Sequence, residues 1–220
     1  MIKIKIIILD AYGTLFDVNT AAKKLKNKIG PNWLDFADHW RTTQLEYTWL
    51  RSLMLKYKNF QEITSDSLKK SMKVFSVEDS LKDELLTSYE FLKVFSEVKN
   101  ILKYLKKKKL KIVILSNGTI SMIKKLVQLN QISGFFDDIF SIEDKKIYKP
   151  SPKIYQLPLT KYKFKKKEIL FVSSNTWDVS GAGHFGFNCI WVNRNNNFFD
   201  YLDYNDFAEI KDLNGIIDFV

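Results

Sequence analysis

The stretch Ile2–Phe16, IKIKIIILDAYGTLF, decides the fold. Its apolar run, Ile6 to Leu9, ends at one acidic residue, Asp10, with Gly13 and Thr14 close behind. β-Branched residues running into a turn signal predict a buried strand that passes into a loop. In a parallel sheet such a strand carries Asp10 at its carboxyl end, where open α/β sheets place their ligand sites. A carboxylate at a strand end is costly without partners. Cationic and hydrogen-bonding groups are therefore expected from elsewhere in the chain.

Outward from this strand, apolar residues recur at helical spacing over residues 18–29, and Gly30-Pro31 breaks the pattern. A longer helix is expected from Pro31 to about Lys56, its apolar face drawn from Trp33, Phe36, Ala37, Trp40, Tyr47, Leu50 and Met54. Two more helices are expected over 65–75 and 78–91. So long a helical run with no strand signal is unlike a simple crossover. It points to a helical domain, residues 16–94, inserted after the first strand.

From Glu97 the pattern changes. A helix to about Lys108 leads into KIVIL (Lys111–Leu115), a second buried strand ending in Ser116-Asn117-Gly118. A helix over 120–129, a short strand at Ile139-Phe140 and a helix opened by Lys149-Pro150-Ser151-Pro152 follow. ILFV (Ile169–Val172) reads as a third buried strand, ending in Ser173-Ser174-Asn175. A Gly/Ala-rich turn at Ser180–Gly183 and a last strand, Cys189–Val192, complete the pattern. Alternating strands and helices predict an α/β fold: a Rossmann-like, doubly wound parallel sheet formed by residues 1–15 and 95–220, with the helical cap inserted.

The 220 residues include 17 Phe and 10 Tyr, and 45% of the chain is hydrophobic, enough for a large core. The single cysteine, Cys189, excludes an internal disulfide and a cysteine-rich metal site, which fits a reducing cytoplasm. No apolar stretch is long enough to span a membrane, and the N-terminal run is interrupted by lysine. The net charge is +10. The lysines fall in short clusters such as Lys106–Lys109 and Lys165–Lys167, which read as a solvated surface rather than a nucleic-acid patch. A small anionic substrate still gains from the positive field.

Three expected strands each deliver polar groups at their carboxyl ends: Asp10 and Thr14; Ser116 and Asn117; Ser173, Asn175 and Asp178. Lys149 stands before a proline at a helix start. Singly, such residues are turn, cap or surface residues. Together, a nucleophile-type carboxylate, a lysine, several donors and a second carboxylate make an active-site inventory.

DAYGTLFD (10–17), LSNG (115–118), YKPSPKIY (148–155) and VSSNTWDVSGA (172–182) resemble, in order and spacing, the four motifs of the haloacid dehalogenase superfamily. The resemblance is closest to its L-2-haloacid dehalogenase (type II) branch, and WRTTQLEYTWLR (40–51) and WVNR (191–194) extend it over most of the chain. Phosphatases of the superfamily carry a second aspartate two residues after the nucleophile, to protonate a leaving alcohol. Here that position is Tyr12, and a halide leaves without a proton. Ser173, Asn175 and Asp178 offer one carboxylate where Mg²⁺ wants several oxygens.

The resemblance implies a cofactor-free and metal-free hydrolysis of short 2-haloacids to 2-hydroxyacids. Asp10 forms an aspartyl ester, Lys149 balances its charge, and Thr14, Ser173 and Asn175 bond to it. Ser116, Asn117 and backbone N–H groups near Gly118 bind the substrate carboxylate, and Asp178 activates water. Arg41 reaches from the cap to the leaving halide, and Tyr12, Leu45, Phe60 and Trp177 line the apolar pocket. The sequence departs from the family pattern at Thr42, often a glutamine, and at Ser96, often a proline. A homodimer is implied by resemblance only. A phosphatase of the same fold and a non-catalytic binder of an anionic metabolite are the alternatives.

Overall fold

Ile6 to Leu9 are each no more than 1% exposed and form β1 (Ile6–Leu9). Burying each such side chain contributes roughly 1.5–3 kcal/mol, so this short strand anchors the core. The computed structural model describes residues 3–220. Met1 and Ile2, the latter opening the quoted stretch, lie outside the described residues.

After β1 come β2 (Phe16–Asp17) and the helices α1 (Thr20–Lys23), α2 (Lys26–Ile29), α3 (Trp33–Leu53), α4 (Phe60–Val74) and α5 (Lys82–Tyr89). Then follow β3 (Lys93–Val94), α6 (Val98–Lys107), β4 (Lys111–Ser116), α7 (Ile120–Leu129) and β5 (Asp138–Ser141). The chain continues through α8 (Pro152–Tyr155), α9 (Leu157–Lys161), β6 (Ile169–Ser173), α10 (Thr176–Phe185), β7 (Asn188–Val192) and β8 (Phe207–Ile210).

Six strands form one sheet in the order β5-β4-β1-β6-β7-β8, every neighbouring pair parallel. β1 pairs with β4 on one side (Leu9 opposite Ile114) and with β6 on the other (Leu9 opposite Val172). The chain order reverses at β1, so the loops after β1, β4 and β6 open onto one crevice, the position α/β sheets use for ligands. Helices flank the sheet: α6 packs on β4, α7 on β5, and α10 on β6 and β7. This is the doubly wound architecture expected from the strand pattern.

The stretch between β2 and β3 is helical apart from short turns, and the two strands pair antiparallel, Phe16 opposite Val94 and Asp17 opposite Lys93. Three expectations need correction. Residues 18–29 form two short helices, because the chain turns at Lys24 and Leu25. α4 begins at Phe60 rather than near Ser65, because Asn59 Oδ1 accepts the Glu62 N–H (2.9 Å) while Glu62 accepts the Asn59 N–H (3.0 Å). That reciprocal cap is an N-terminal signal legible in Asn59-x-x-Glu62. In α3, Leu50 and Met54 are exposed, and the buried face continues instead through Thr43, Gln44 and Thr48. α4 answers with buried Thr64, Ser67 and Ser71, whose hydroxyls bond back to carbonyls of their own helix.

Two further corrections lie near the end of the chain. Ser180–Gly183 is no turn but the middle of α10. Its glycines serve close approach: a Cβ on Gly181 would stand 2.6 Å from Pro150 and Tyr155 atoms, and one on Gly183 would stand 1.9 Å from the Tyr204 ring. β7 is not the last strand, because β8 pairs beside it. Phe207 and Ala208 of β8 are half-buried and Glu209 is exposed, so the continuous apolar run that marks a buried strand is missing.

Candidate active site

Asp10 follows the last residue of β1, and its backbone N–H donates to the Val172 carbonyl (3.0 Å), continuing the pairing with β6. The residue is 4% exposed. Lys149 Nζ donates to Oδ1 (2.8 Å). Oδ2 accepts from Thr14 Oγ1 (3.0 Å), Asn175 Nδ2 (2.9 Å) and, at 3.4 Å, Ser173 Oγ. Thr14 comes from the β1 loop, Ser173 and Asn175 from the end of β6, and Lys149 from the segment before α8.

Lys149 is fully buried. Its ammonium donates three times: to Asp10 Oδ1, to the Leu115 carbonyl (3.0 Å) and to Asp178 Oδ2 (2.6 Å). Those bonds use all its hydrogens. Burial by itself lowers the ammonium pKa, but the Asp10 and Asp178 carboxylates outweigh it and raise the value. The Lys149 backbone N–H donates to Asn117 Oδ1 (3.0 Å), which ties it to the loop after β4.

Asp178, also fully buried, lies in the first turn of α10. Oδ2 accepts from Lys149 and shares the single Ser173 hydroxyl hydrogen (3.2 Å) with Asp10, and Oδ1 accepts from Tyr155 Oη (2.7 Å). Burial raises its pKa above the usual carboxylate range, with Lys149 opposing and Asp10 assisting. Two carboxylates, one ammonium and a ring of hydroxyls and amides are thus interlocked beneath the strand ends. Among the described residues no group of three or more His, Cys, Asp or Glu side chains is arranged to hold a metal ion.

The loop after β4 is held by its own bonds. Ser116 Oγ accepts the Gly118 N–H (3.0 Å), Ser141 Oγ donates to the Gly118 carbonyl (2.7 Å), and Glu143 accepts the Ile120 N–H (2.7 Å). Ser116 and Asn117 are therefore shaped as well as placed, close to Lys149.

Arg41 comes from α3 and is half-buried. Nη1 donates to Gln44 Oε1 (2.8 Å), and Nη2 reaches the Tyr12 carbonyl at 3.5 Å, the carbonyl that Asn175 Nδ2 also approaches (3.3 Å). Arg41 therefore faces the loop after β1 across the seam between helices and sheet.

The Tyr12 ring is 5.2 Å from the Phe60 ring and 5.7 Å from the Tyr89 ring. Its hydroxyl is buried without a hydrogen-bond partner among the described residues. Burial, then the neighbouring Tyr89, raises its pKa, so it stays a neutral phenol. A cavity of about 160 Å³, lined by Tyr12, Gln61, Tyr89 and Met122 among others, reaches this ring from the surface. Tyr12 and Phe60 thus stand together. Leu45 is half-buried on α3. Trp177 lies apart from them: it meets Trp49 edge-on at 5.5 Å and lines a separate groove of about 770 Å³ with Tyr148, Pro150 and Leu53.

Sequence reasoning missed three contributors. Tyr155, which bonds to Asp178, closes the motif YKPSPKIY, but nothing in its spacing marks it as polar rather than core. Gln44 supports Arg41 from one helical turn away. Arg194 donates to the Thr14 carbonyl (3.0 Å) and pairs with Glu97 (2.7 Å), and its only signal was its place in WVNR.

The comparisons with known proteins agree with this geometry. The model of the haloacid dehalogenase-like hydrolase family matches residues 4–186. The chain is 38% identical to an (S)-2-haloacid dehalogenase of Pseudomonas fluorescens, over 89% of this chain and 87% of that one. It is also 38% identical to haloacetate dehalogenase H-2 of Moraxella sp. (strain B), over 92% and 91%. Among solved structures, it matches the L-2-haloacid dehalogenase from Xanthobacter autotrophicus with chloropropionic acid covalently bound. There the TM-score is 0.89 and the identity 28%, over 98% of both chains. The chain belongs to the haloacid dehalogenase-like hydrolase family, on its 2-haloacid dehalogenase branch.

Proposed function

We propose that the protein hydrolyses short 2-haloacids, haloacetate and L-2-halopropionate, to 2-hydroxyacids through an ester on Asp10. The observation that carries this reading is the Asp10–Lys149–Asp178 cluster, in which one built-in ammonium lies between a nucleophile-type and a base-type carboxylate. Asp10 Oδ attacks the carbon bearing the halogen, the C–X bond breaks, and the halide leaves with its electron pair toward Arg41. A desolvated, in-line carboxylate is a competent nucleophile for this displacement. Thr14, Ser173 and Asn175 hold Asp10 in line, and Ser116, Asn117 and backbone N–H groups near Gly118 receive the substrate carboxylate.

Asp178 then takes a proton from water, which attacks the Asp10 carbonyl carbon and releases the hydroxyacid. A carboxyl raised above its usual range by burial is better matched to that task near neutrality. The covalent chloropropionate in the Xanthobacter autotrophicus relative supports an enzyme-bound intermediate. In this reading residues 1–15 and 95–220 are the core and 16–94 the cap that carries Arg41, Leu45 and Phe60 to the pocket beside Tyr12. No cofactor is needed, and the reducing cytoplasm suits the single buried thiol of Cys189. Assembly as a homodimer follows from the resemblance alone and is read by light scattering.

A single turnover in ¹⁸O-water with enzyme in excess tests the scheme. The product oxygen comes from Asp10, so the product stays unlabelled and the peptide holding Asp10 gains label. Label in the first-turnover product, with none on that peptide, means that water attacks the substrate directly.

A further inference from the structure

We propose that Gln44 is a positioning residue that aims Arg41 while leaving its charge unspent. The inference rests on the dehalogenase reading above. Gln44 is 1% exposed, between α3 and α4. Thr64 Oγ1 gives its only hydrogen to the Phe60 carbonyl (2.7 Å), so it accepts from Gln44, at 2.6 Å. The group facing Thr64 is therefore the amide nitrogen, and the amide oxygen faces the other way. That oxygen accepts from Arg41 Nη1 (2.8 Å) and from Tyr89 Oη (3.2 Å). Thr64 and Tyr89 are themselves buried, so the amide has one orientation and Arg41 one anchor.

The anchor is neutral. Among the described residues Arg41 forms no salt bridge, whereas Lys149 pairs with two carboxylates and Arg194 with Glu97. Glutamate has nearly the same shape as glutamine, but a carboxylate here would neutralise the guanidinium and could not donate to Thr64. Asp10, Asp178 and Lys149 together already carry one surplus negative charge. Arg41 is then the positive group left to meet a departing anion, and a neutral acceptor preserves it.

The test is the pre-steady-state halide burst with (S)-2-chloropropionate and (S)-2-bromopropionate, which reads C–X cleavage without ester hydrolysis. Chloride is the poorer leaving group and depends more on the guanidinium. Q44E should slow the chloride burst by about tenfold and the bromide burst by about threefold less than that, so the chloride-to-bromide ratio falls. Q44M removes the acceptor without adding charge, and should move the same ratio in the same direction by less. Melting temperatures check folding, and if Q44E does not fold, Q44M carries the test. Equal losses on both halides, or no loss, overturn the positioning role while a normal wild-type burst keeps the dehalogenase reading. A wild-type chain that releases neither halide removes that reading, and this inference with it.

Discussion

Two buried polar clusters face each other across the seam of this molecule, and they are built on opposite rules. The cluster at the strand ends, Asp10, Lys149 and Asp178, is charged, and its one ammonium bridges two carboxylates at 2.6 and 2.8 Å. The cluster drawn from α3, α4 and α5, Gln44, Thr64 and Tyr89, is neutral, and it holds a guanidinium without pairing it. Buried charge is stable only when matched on the spot. A neutral cluster has no such demand, so it can support a charge whose partner is to arrive from outside. One region keeps its electrostatics to itself, and the other keeps a charge available.

The largest effect expected from this difference is on Lys149. Lys149→Met leaves two carboxylates facing each other in the core, and should abolish turnover and cost ~3–5 kcal/mol of stability. In a chain of this size that lowers the melting temperature by roughly 10 °C. Adding Asp178→Asn removes one of the facing charges and should recover part of the stability. A single variant that melts within about two degrees of wild type would break the claim that the strand-end ions hold one another.

Arg41→Lys comes next. A point charge cannot reproduce the guanidinium fork between Gln44 and the Tyr12 carbonyl. Turnover should fall by about 10²-fold with the melting temperature unchanged. Near-normal turnover would return Arg41 to an ordinary surface role.

The third effect is on pH dependence, and it separates the clusters. Burial raises the Asp178 pKa from 3.8 to about 6. As a base it must be deprotonated, so kcat should fall as the pH drops through about 6, with the slope of one proton. The linkage has the opposite sign for folding. A carboxyl with a raised folded pKa binds its proton more tightly in the native state, so this group costs stability as the pH rises from 3.8 to about 6. Gln44, Thr64 and Tyr89 stay neutral through that window, so Gln44→Met should not move the acid limb. A limb that moves in that variant would show the clusters to be coupled.

The smallest expected effect is none. With Lys149 already between the two carboxylates, excess chelator should leave halide release unchanged. Activity that vanishes and returns with Mg²⁺ would mean that the built-in cation is not sufficient.

The strand-end site was legible in part because three of its residues close or follow an apolar run, while Lys149 and Asp178 follow none and were placed there by the motif resemblance. Asp10 after IIIL, Ser116 after KIVIL and Ser173 after ILFV stand where a parallel sheet presents side chains to ligands. The cluster around Gln44 was not legible. Thr43 and Gln44 are polar and fall outside the apolar positions expected on α3, Thr64 precedes the helix expected over 65–75, and the packing of α3 on α4 buries all three. For the same reason Leu50 and Met54, apolar and at helical spacing, were expected inside and lie outside. The glycines of α10 read as a turn because a sequence does not reveal which neighbour needs the missing Cβ. Tyr155 was hidden by its type, since an aromatic residue in a short helix is usually core.

The chain leaves the sheet through Phe16-Asp17 and returns through Lys93-Val94, and these segments lie side by side as an antiparallel pair. Directly opposed residues in such a pair are about 5 Å apart, the span of a tight turn. Everything between the two rungs is thus an excursion that starts and finishes at the same place on the parent scaffold. A shorter, longer or unrelated module could be spliced between those rungs without changing the register of β1, β4 and β6. The buried Asp10–Lys149–Asp178 cluster would stay on the permanent part, while Arg41, Gln44 and Phe60 would travel with the exchangeable one.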